Sequence, residues 1–143
     1  MQDELHVNVD EISAAGLGSL VNCAVVVAAA DGELQGEEYQ AILQNLTSII
    51  GDADTVETLA NQAVANALSR DRGEVFEEAC NMLEAGDREV CFTIACAVAT
   101  RAGGIGMKEG LALQQLAKTL DIGYPSAKYN ELLGKGMRLG RAS

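Results

Sequence analysis

The sequence predicts an all-α fold, a compact single-domain bundle of about seven helices. Apolar residues make up 48% of the 143 residues but aromatic residues only 3%, so the core must consist of Ala, Val, Leu and Ile, which suits closely packed helices. Pro125 is the one proline, so little in the chain interrupts helices. Apolar residues recur at helical spacing in several segments, and no segment alternates convincingly between apolar and polar residues.

The length indicates one domain with one core. We expect a loose N-terminal lead-in at residues 1–9, where no periodicity is clear. The helical domain is predicted over residues 10–137. Residues 138–143 are basic and small, which predicts a flexible tail.

The first helix is predicted to run from a cap at Asp10 or Ser13 to about Ala30, and it is apolar all round, as is typical of a central helix. Its apolar block is short and weak for a membrane span, and the acidic start of the chain does not resemble a signal peptide. The second helix is predicted over residues 36–50, where apolar residues share one face, and Gly51 ends it.

The third helix is predicted to start at a cap on Asp52 or Asp54, and the fourth after Asp71. Gly86 is expected to stop the fourth helix. Asp87 is then expected to cap the fifth helix, whose apolar residues form one stripe.

The sixth helix is predicted near residues 107–120, and Pro125 fits at or just before the first turn of the seventh. Aligning Asp31 with Gly103, an offset of 72 residues, places helix one on helix five and helix two on helix six. Both units consist of a small-residue apolar helix, a tight turn and an amphipathic helix. This predicts two pseudo-repeated helical hairpins.

The formal net charge of −11 is unevenly distributed. Residues 1–89 hold eighteen acids and three bases, whereas residues 90–143 hold three acids and seven bases. The acidic part argues against nucleic-acid binding, because phosphates require clustered cations, but it is compatible with a cation or a basic protein partner. The simplest interpretation is that the acids keep a small-residue bundle soluble. The basic C-terminal segment allows at most peripheral membrane association.

Four cysteines lie in apolar helical segments without a C-x-x-C pair, and the single histidine is His6. We therefore expect reduced, buried thiols in a cytoplasmic protein rather than a thiol-based zinc site. A cysteine nucleophile would lack a nearby base, and no phosphate-binding glycine motif is present. Acid–base catalysis by Asp31 and Glu37 is conceivable, but nothing else supports it. The sequence thus predicts a protein that is not an enzyme.

An acidic turn over residues 28–38 carries most of the functional information. Its carboxylates belong to Asp31, Glu33, Glu37 and Glu38. Hard divalent cations prefer several such oxygens at short range, but an EF-hand is excluded because its twelfth position would be Ile42 instead of Glu. A purely structural role is also open, since Gly32 permits the turn and the two glutamates at the start of helix two favour its dipole.

The pattern Ala29-Ala30-Asp31-Gly32-Glu33-Leu34 followed by Glu37-Glu38, a second such turn about seventy residues later and the seven helices resemble the TerB-like tellurite-resistance family. The likeness covers roughly residues 12–137. It implies an all-α protein in the cytoplasm or at the inner membrane face, associated with stress-response complexes. It also implies a metal-ion site at the acidic turns and no established catalysis.

At the second turn, Gly103 stands in place of the family's aspartate and Ile105 in place of the next acid, while Glu109 is retained. A family site that needs both turns would be weakened here. The resemblance implies a divalent-cation site (Ca²⁺, Mg²⁺, Mn²⁺ or Zn²⁺) with the candidate ligands Asp31, Glu33, Glu37, Glu38 and Glu109. It also implies an interaction with a protein partner. The alternative is an acidic scaffold or adaptor protein with no metal site.

Overall fold

The structure, a computed structural model, describes residue 9, residues 12–32, residue 34 and residues 36–142. Within these residues the chain forms seven α-helices and no strand, which confirms the predicted fold class. The helices are α1 (Ala14–Ala28), α2 (Gly36–Ile50), α3 (Ala53–Ser69), α4 (Arg72–Met82), α5 (Ala85–Arg101), α6 (Met107–Thr119) and α7 (Ala127–Ala142). The pseudo-repeat of hairpins stays a prediction.

Helices α1 and α5 form the centre of the bundle. Helix α1 packs against α3, α4 and α5, and α5 also packs against α7 and α2. The predicted central position of α1 is confirmed by its buried segment from Cys23 to Ala28. Helix α5 is buried continuously from Cys91 to Ala99, although the sequence indicated only one apolar stripe. Its alanines, cysteines and Thr93 are small enough to be enclosed on every side, and the Thr93 hydroxyl donates to the carbonyl of Glu89 at 2.8 Å.

Side-chain caps begin four of the described helices, namely α1, α3, α4 and α7, and in α7 the hydroxyl of Ser126 accepts from the amide of Tyr129 at 3.0 Å. The hydroxyl of Ser13 accepts from the amide of Gly16 at 3.1 Å at the start of α1. Asp52 and Asp71 start α3 and α4 in the same way. Of the caps predicted for the first and third helices, Ser13 and Asp52 are observed. Asp10 lies outside the described residues.

The junction between α4 and α5 differs from the prediction. Helix α4 ends at Met82 and α5 begins at Ala85, so Gly86 lies inside the first turn of α5 and Asp87 does not cap it. Leu83 adopts an extended backbone conformation, and its side chain is buried close to α1. The break between the two helices therefore falls at Leu83 and Glu84, before the glycine.

Helix α7 continues to Ala142, so it includes residues 138–142, where the sequence predicted a flexible tail. Gly140 in this segment, like Gly136 one turn earlier, lies directly against α5. Leu139 also packs against the core from this segment. The last turns are therefore held by tertiary contacts rather than by local propensity.

Tyr129 provides a pH-dependent test of the α5–α7 contact. Its ring lies 5.3 Å from that of Phe92 and 4.6 Å from that of Tyr124, between ring centroids. Burial, helped by the neighbouring Cys96 and Tyr124, raises the pKa of Tyr129 to about 12. The unfolded chain loses the phenolic proton near pH 10, so this group stabilises the fold below pH 10 and its contribution is lost as the pH rises towards 12.

Urea unfolding at about pH 9 and about pH 11 should therefore show a larger loss of stability in the unmodified protein than in Tyr129→Phe, which cannot ionise. The ring packing is retained in the variant. Equal losses in the two proteins would contradict the buried, neutral state of Tyr129.

Candidate functional site: a pocket between two turns

The turn after α1 and the turn after α5 lie side by side and enclose a pocket of about 170 Å³. We call it the turn pocket. Its lining residues are Ala28, Asp31, Glu38, Ala99, Ala102, Gly103, Gly104, Gly106 and Glu109. The close packing of α1 on α5 brings their C-terminal ends together, and the small alanines there leave room for the pocket.

Backbone hydrogen bonds shape both turns. In the first turn the amide of Gly32 donates to the carbonyl of Ala29 at 2.9 Å, and Gly32 has a φ of 97°. In the second turn the amide of Gly104 donates to the carbonyls of Ala99 and Thr100, each at 3.1 Å. This bifurcated hydrogen bond from one amide closes the end of the helix and fixes where the following residues lie.

Gly103 adopts a backbone conformation that suits glycine. Its φ is 143°, in the region that L side chains rarely adopt. A β-carbon placed on Gly103 would lie 3.5 Å from Oε2 of Glu38. The carboxylate of Glu38 therefore reaches from α2 to the second turn and lies beside Gly103.

Glu109 has a structural role as well as a place in the pocket. Its Oε1 accepts from the amide of Gly106 at 3.1 Å, which satisfies one of the unpaired amides at the start of α6. A carboxylate in the first turn of α6 also interacts favourably with the helix dipole. The side chain is thus oriented towards the pocket by the cap that it forms.

The structure brings together three of the five predicted site residues. Asp31, Glu38 and Glu109 line the turn pocket, whereas Glu37 is exposed and does not. Glu33 lies outside the described residues. Asp31 and Glu38 both interact with other groups of the protein. Across the described residues, no group of three or more His, Cys, Asp or Glu side chains is arranged to hold a metal ion.

The pocket also contains residues that the sequence reasoning missed. Ala28 and Ala99 stand near the ends of α1 and α5 and line it together with the glycines of the second turn. The run of small residues before each turn is the sequence feature that could have indicated them. Only small side chains allow two helix ends and the turns after them to lie this close together.

Two of the cysteines have thiols with a raised pKa. Cys23, Cys91 and Cys96 are buried, and Cys80 is half-buried. A hydrogen bond to Cys91, together with burial, raises the pKa of Cys23, and burial raises the pKa of Cys96. Neither of these two thiols is thus held in the reactive thiolate form.

Comparisons with protein-family models, with curated proteins and with solved structures find no match for this chain. The resemblance to the TerB-like family stays a prediction from the residues of the two turns. None of the described helices is both long enough and apolar enough to cross a bilayer.

Proposed function

We propose that this chain is a non-catalytic, TerB-like helical module of a stress-response system related to tellurite resistance. In this proposal it binds a protein partner and responds to a divalent cation at the turn pocket. One observation supports the cation site above all. The carboxylates of Asp31 and Glu38, close to the first turn, and that of Glu109, close to the second, line the same pocket although the two turns are far apart in the sequence.

The chemistry of these groups favours hard cations. Ca²⁺, Mg²⁺ and Mn²⁺ prefer carboxylate oxygens, whereas Zn²⁺ more often takes nitrogen or sulfur ligands. Ca²⁺ fits best, because it accepts irregular coordination completed by water. Asp31 and Glu38 already interact with other groups of this chain, so a cation would compete with those interactions. We therefore expect modest affinity and a change in how α2 lies against the second turn.

The test is a titration with CaCl₂, MgCl₂, MnCl₂ or ZnCl₂, followed by calorimetry and by thermal unfolding. At ten times the dissociation constant, bound Ca²⁺ should raise the free energy of unfolding by about 1.4 kcal/mol. Glu38→Gln and Glu109→Gln should each weaken binding by roughly tenfold, because each removes a charged ligand. Glutamine at position 109 can still accept from the amide of Gly106, so the cap is kept.

Glu37→Gln is the matched control. Glu37 precedes Glu38 in the same first turn of α2 and carries the same charge, but it does not line the pocket. Its variant should bind Ca²⁺ as the unmodified protein does. If no heat and no thermal shift occur with any of the four cations, the metal site is refuted and an adaptor remains.

The second candidate is an acidic scaffold or adaptor protein without a metal site. It is favoured by the protein contacts that Asp31 and Glu38 already make. In that case Asp31→Asn would leave partner binding nearly unchanged, while charge reversal on an acidic face would abolish it. Reduced, buried thiols are consistent with the cytoplasm as the place where either function is carried out.

A further inference from the structure

A groove separate from the turn pocket lies between the second half of α2 and the first half of α3. It has a volume of about 500 Å³ and is open to solvent. Its surface is mainly apolar, and its lining includes Leu43, Thr47, Ser48 and Ala53 together with the acidic residues Asp54 and Glu57 of α3. We call it the α2/α3 groove. It begins beyond the first turn of α2, which carries Glu38.

The two walls of the groove are fixed relative to each other. The hydroxyl of Tyr39 on α2 donates a hydrogen bond to Oδ1 of Asn61 on α3. Ile42 and Leu46 are fully buried beneath α2, and Val56 and Ala60 are buried beneath α3. The groove is therefore a preformed surface, and a ligand would not have to open it.

The charged residues of the two helices that form the groove are all acidic. Residues 36–69 contain five acids and neither lysine nor arginine. The first cation along the chain is Arg70, which forms a bidentate pair with Glu78, with nitrogen–oxygen distances of 3.2 and 3.3 Å. Asp54 and Glu57 are exposed, so their charges face any molecule that enters the groove. A ligand must therefore combine apolar side chains with positive charge.

The acidic charge and the apolar surface of the groove restrict the kinds of ligand that it can bind. An anionic membrane or a nucleic acid would be repelled by this acidic surface. A second copy of the chain would bring a net charge of −11 to it. The basic helix of such a copy, α7, has its Tyr129 and Leu132 buried, so it cannot offer an apolar face. A helix with an apolar stripe flanked by basic residues meets both requirements.

We propose that the α2/α3 groove binds a basic amphipathic helical segment of a partner protein. This inference rests on the proposed role of the chain as an interaction module. The apolar stripe of the segment covers Leu43 and Thr47, and its lysines or arginines face Asp54 and Glu57. Apolar burial supplies most of the affinity, and the charges select the partner and its orientation.

The test uses a probe peptide of about 18 residues, long enough to form a helix, built from leucine and lysine with the leucines on one helical face. Two control peptides have the same lysines and leucines in scrambled order, or glutamate in place of lysine. Binding of each labelled peptide to the full chain is measured by fluorescence anisotropy. We expect saturable binding of the patterned Leu/Lys peptide only.

Two variants place a cation in the groove without disturbing the core, since Ser48 and Glu57 are both exposed. Ser48→Arg and Glu57→Lys should each weaken binding of the patterned peptide by roughly three- to tenfold. Glu77→Lys changes the net charge as Glu57→Lys does, but on the exposed side of α4, and should leave binding unchanged.

Three results would overturn the inference: no binding of the patterned peptide, equal binding of the scrambled peptide, or equal weakening by Glu77→Lys. Self-association of the chain that Ser48→Arg abolishes would assign the groove to a second copy instead. The Ca²⁺-induced thermal shift of Glu57→Lys separates this inference from the proposed function. If Glu57→Lys loses peptide binding but keeps the Ca²⁺-induced thermal shift, the substitution affects the groove alone. If no variant shows the thermal shift, the proposed cation site in the turn pocket is wrong.

Discussion

Gly136→Ala and Gly140→Ala are each expected to lower the free energy of unfolding by about 1–3 kcal/mol, although alanine is the better helix former. A β-carbon at Gly136 would overlap the Cβ of Cys96 and lie 2.6 Å from the carbonyl oxygen of Thr93. At Gly140 it would overlap the carbonyl oxygen of Ala97. These contacts involve backbone and β-carbon atoms, which cannot be moved away by rotation of a side chain. Helix α7 would have to move away from α5.

Gly134→Ala is the control for this prediction, because it lies in the same helix. The nearest atom to a β-carbon at Gly134 is Nη1 of Arg138 at 3.6 Å, an ordinary contact with a flexible side chain. This variant should stabilise the protein by about 0.5–1 kcal/mol through helix propensity alone. Urea unfolding followed by circular dichroism measures all three variants. Stabilisation by Gly136→Ala as large as that by Gly134→Ala would contradict the close contact of α7 with α5.

Phe92→Ala should cost about 3–5 kcal/mol, the largest effect that we expect of a single substitution here. Phe92 is fully buried in α5, and its ring packs at a tilt of 49° against that of Tyr129 on α7. The chain contains only two phenylalanines, and the small residues around this one have little side chain with which to fill the cavity. The loss would therefore combine the transfer free energy of the ring with the cavity that remains.

Leu68→Ala is the comparison for Phe92→Ala, since it also removes a large apolar side chain. Leu68 is 79% exposed, and its replacement should change stability by no more than about 0.5 kcal/mol. Equilibrium unfolding in urea gives both values. A cost below about 1 kcal/mol for Phe92→Ala would show that the core around α5 is not packed as described.

The helices and several of their ends could be predicted because they depend on local signals. Asp52 and Asp71 cap α3 and α4, and Gly51, with a φ of 99°, follows the end of α2. The break at Leu83 and the packed glycines of α7 could not be predicted. Both depend on which residue of another helix lies opposite, and a single helical segment carries no such information.

The candidate site was only partly predictable for the same reason. Glu37 and Glu38 are neighbours in sequence, but successive helical residues point about 100° apart, so only one of them can face the pocket. Glu38 lies one turn before the fully buried Ile42, and this spacing marks it as the one nearer the core. The contact of Glu38 with the second turn arises from the packing of α1 and α2 on α5.

The most direct test of the turn pocket is anomalous diffraction from crystals grown with MnCl₂, because Mn²⁺ takes oxygen ligands and scatters anomalously. The proposed site predicts one anomalous peak between the carboxylates of Asp31, Glu38 and Glu109. At a Mn²⁺ concentration near the dissociation constant of the unmodified protein, the peak should be much weaker in Glu38→Gln but not in Glu37→Gln. A cation-responsive site would be contradicted if the unmodified protein showed no such peak at saturating Mn²⁺ and if Asp31 and Glu38 kept their contacts within the chain.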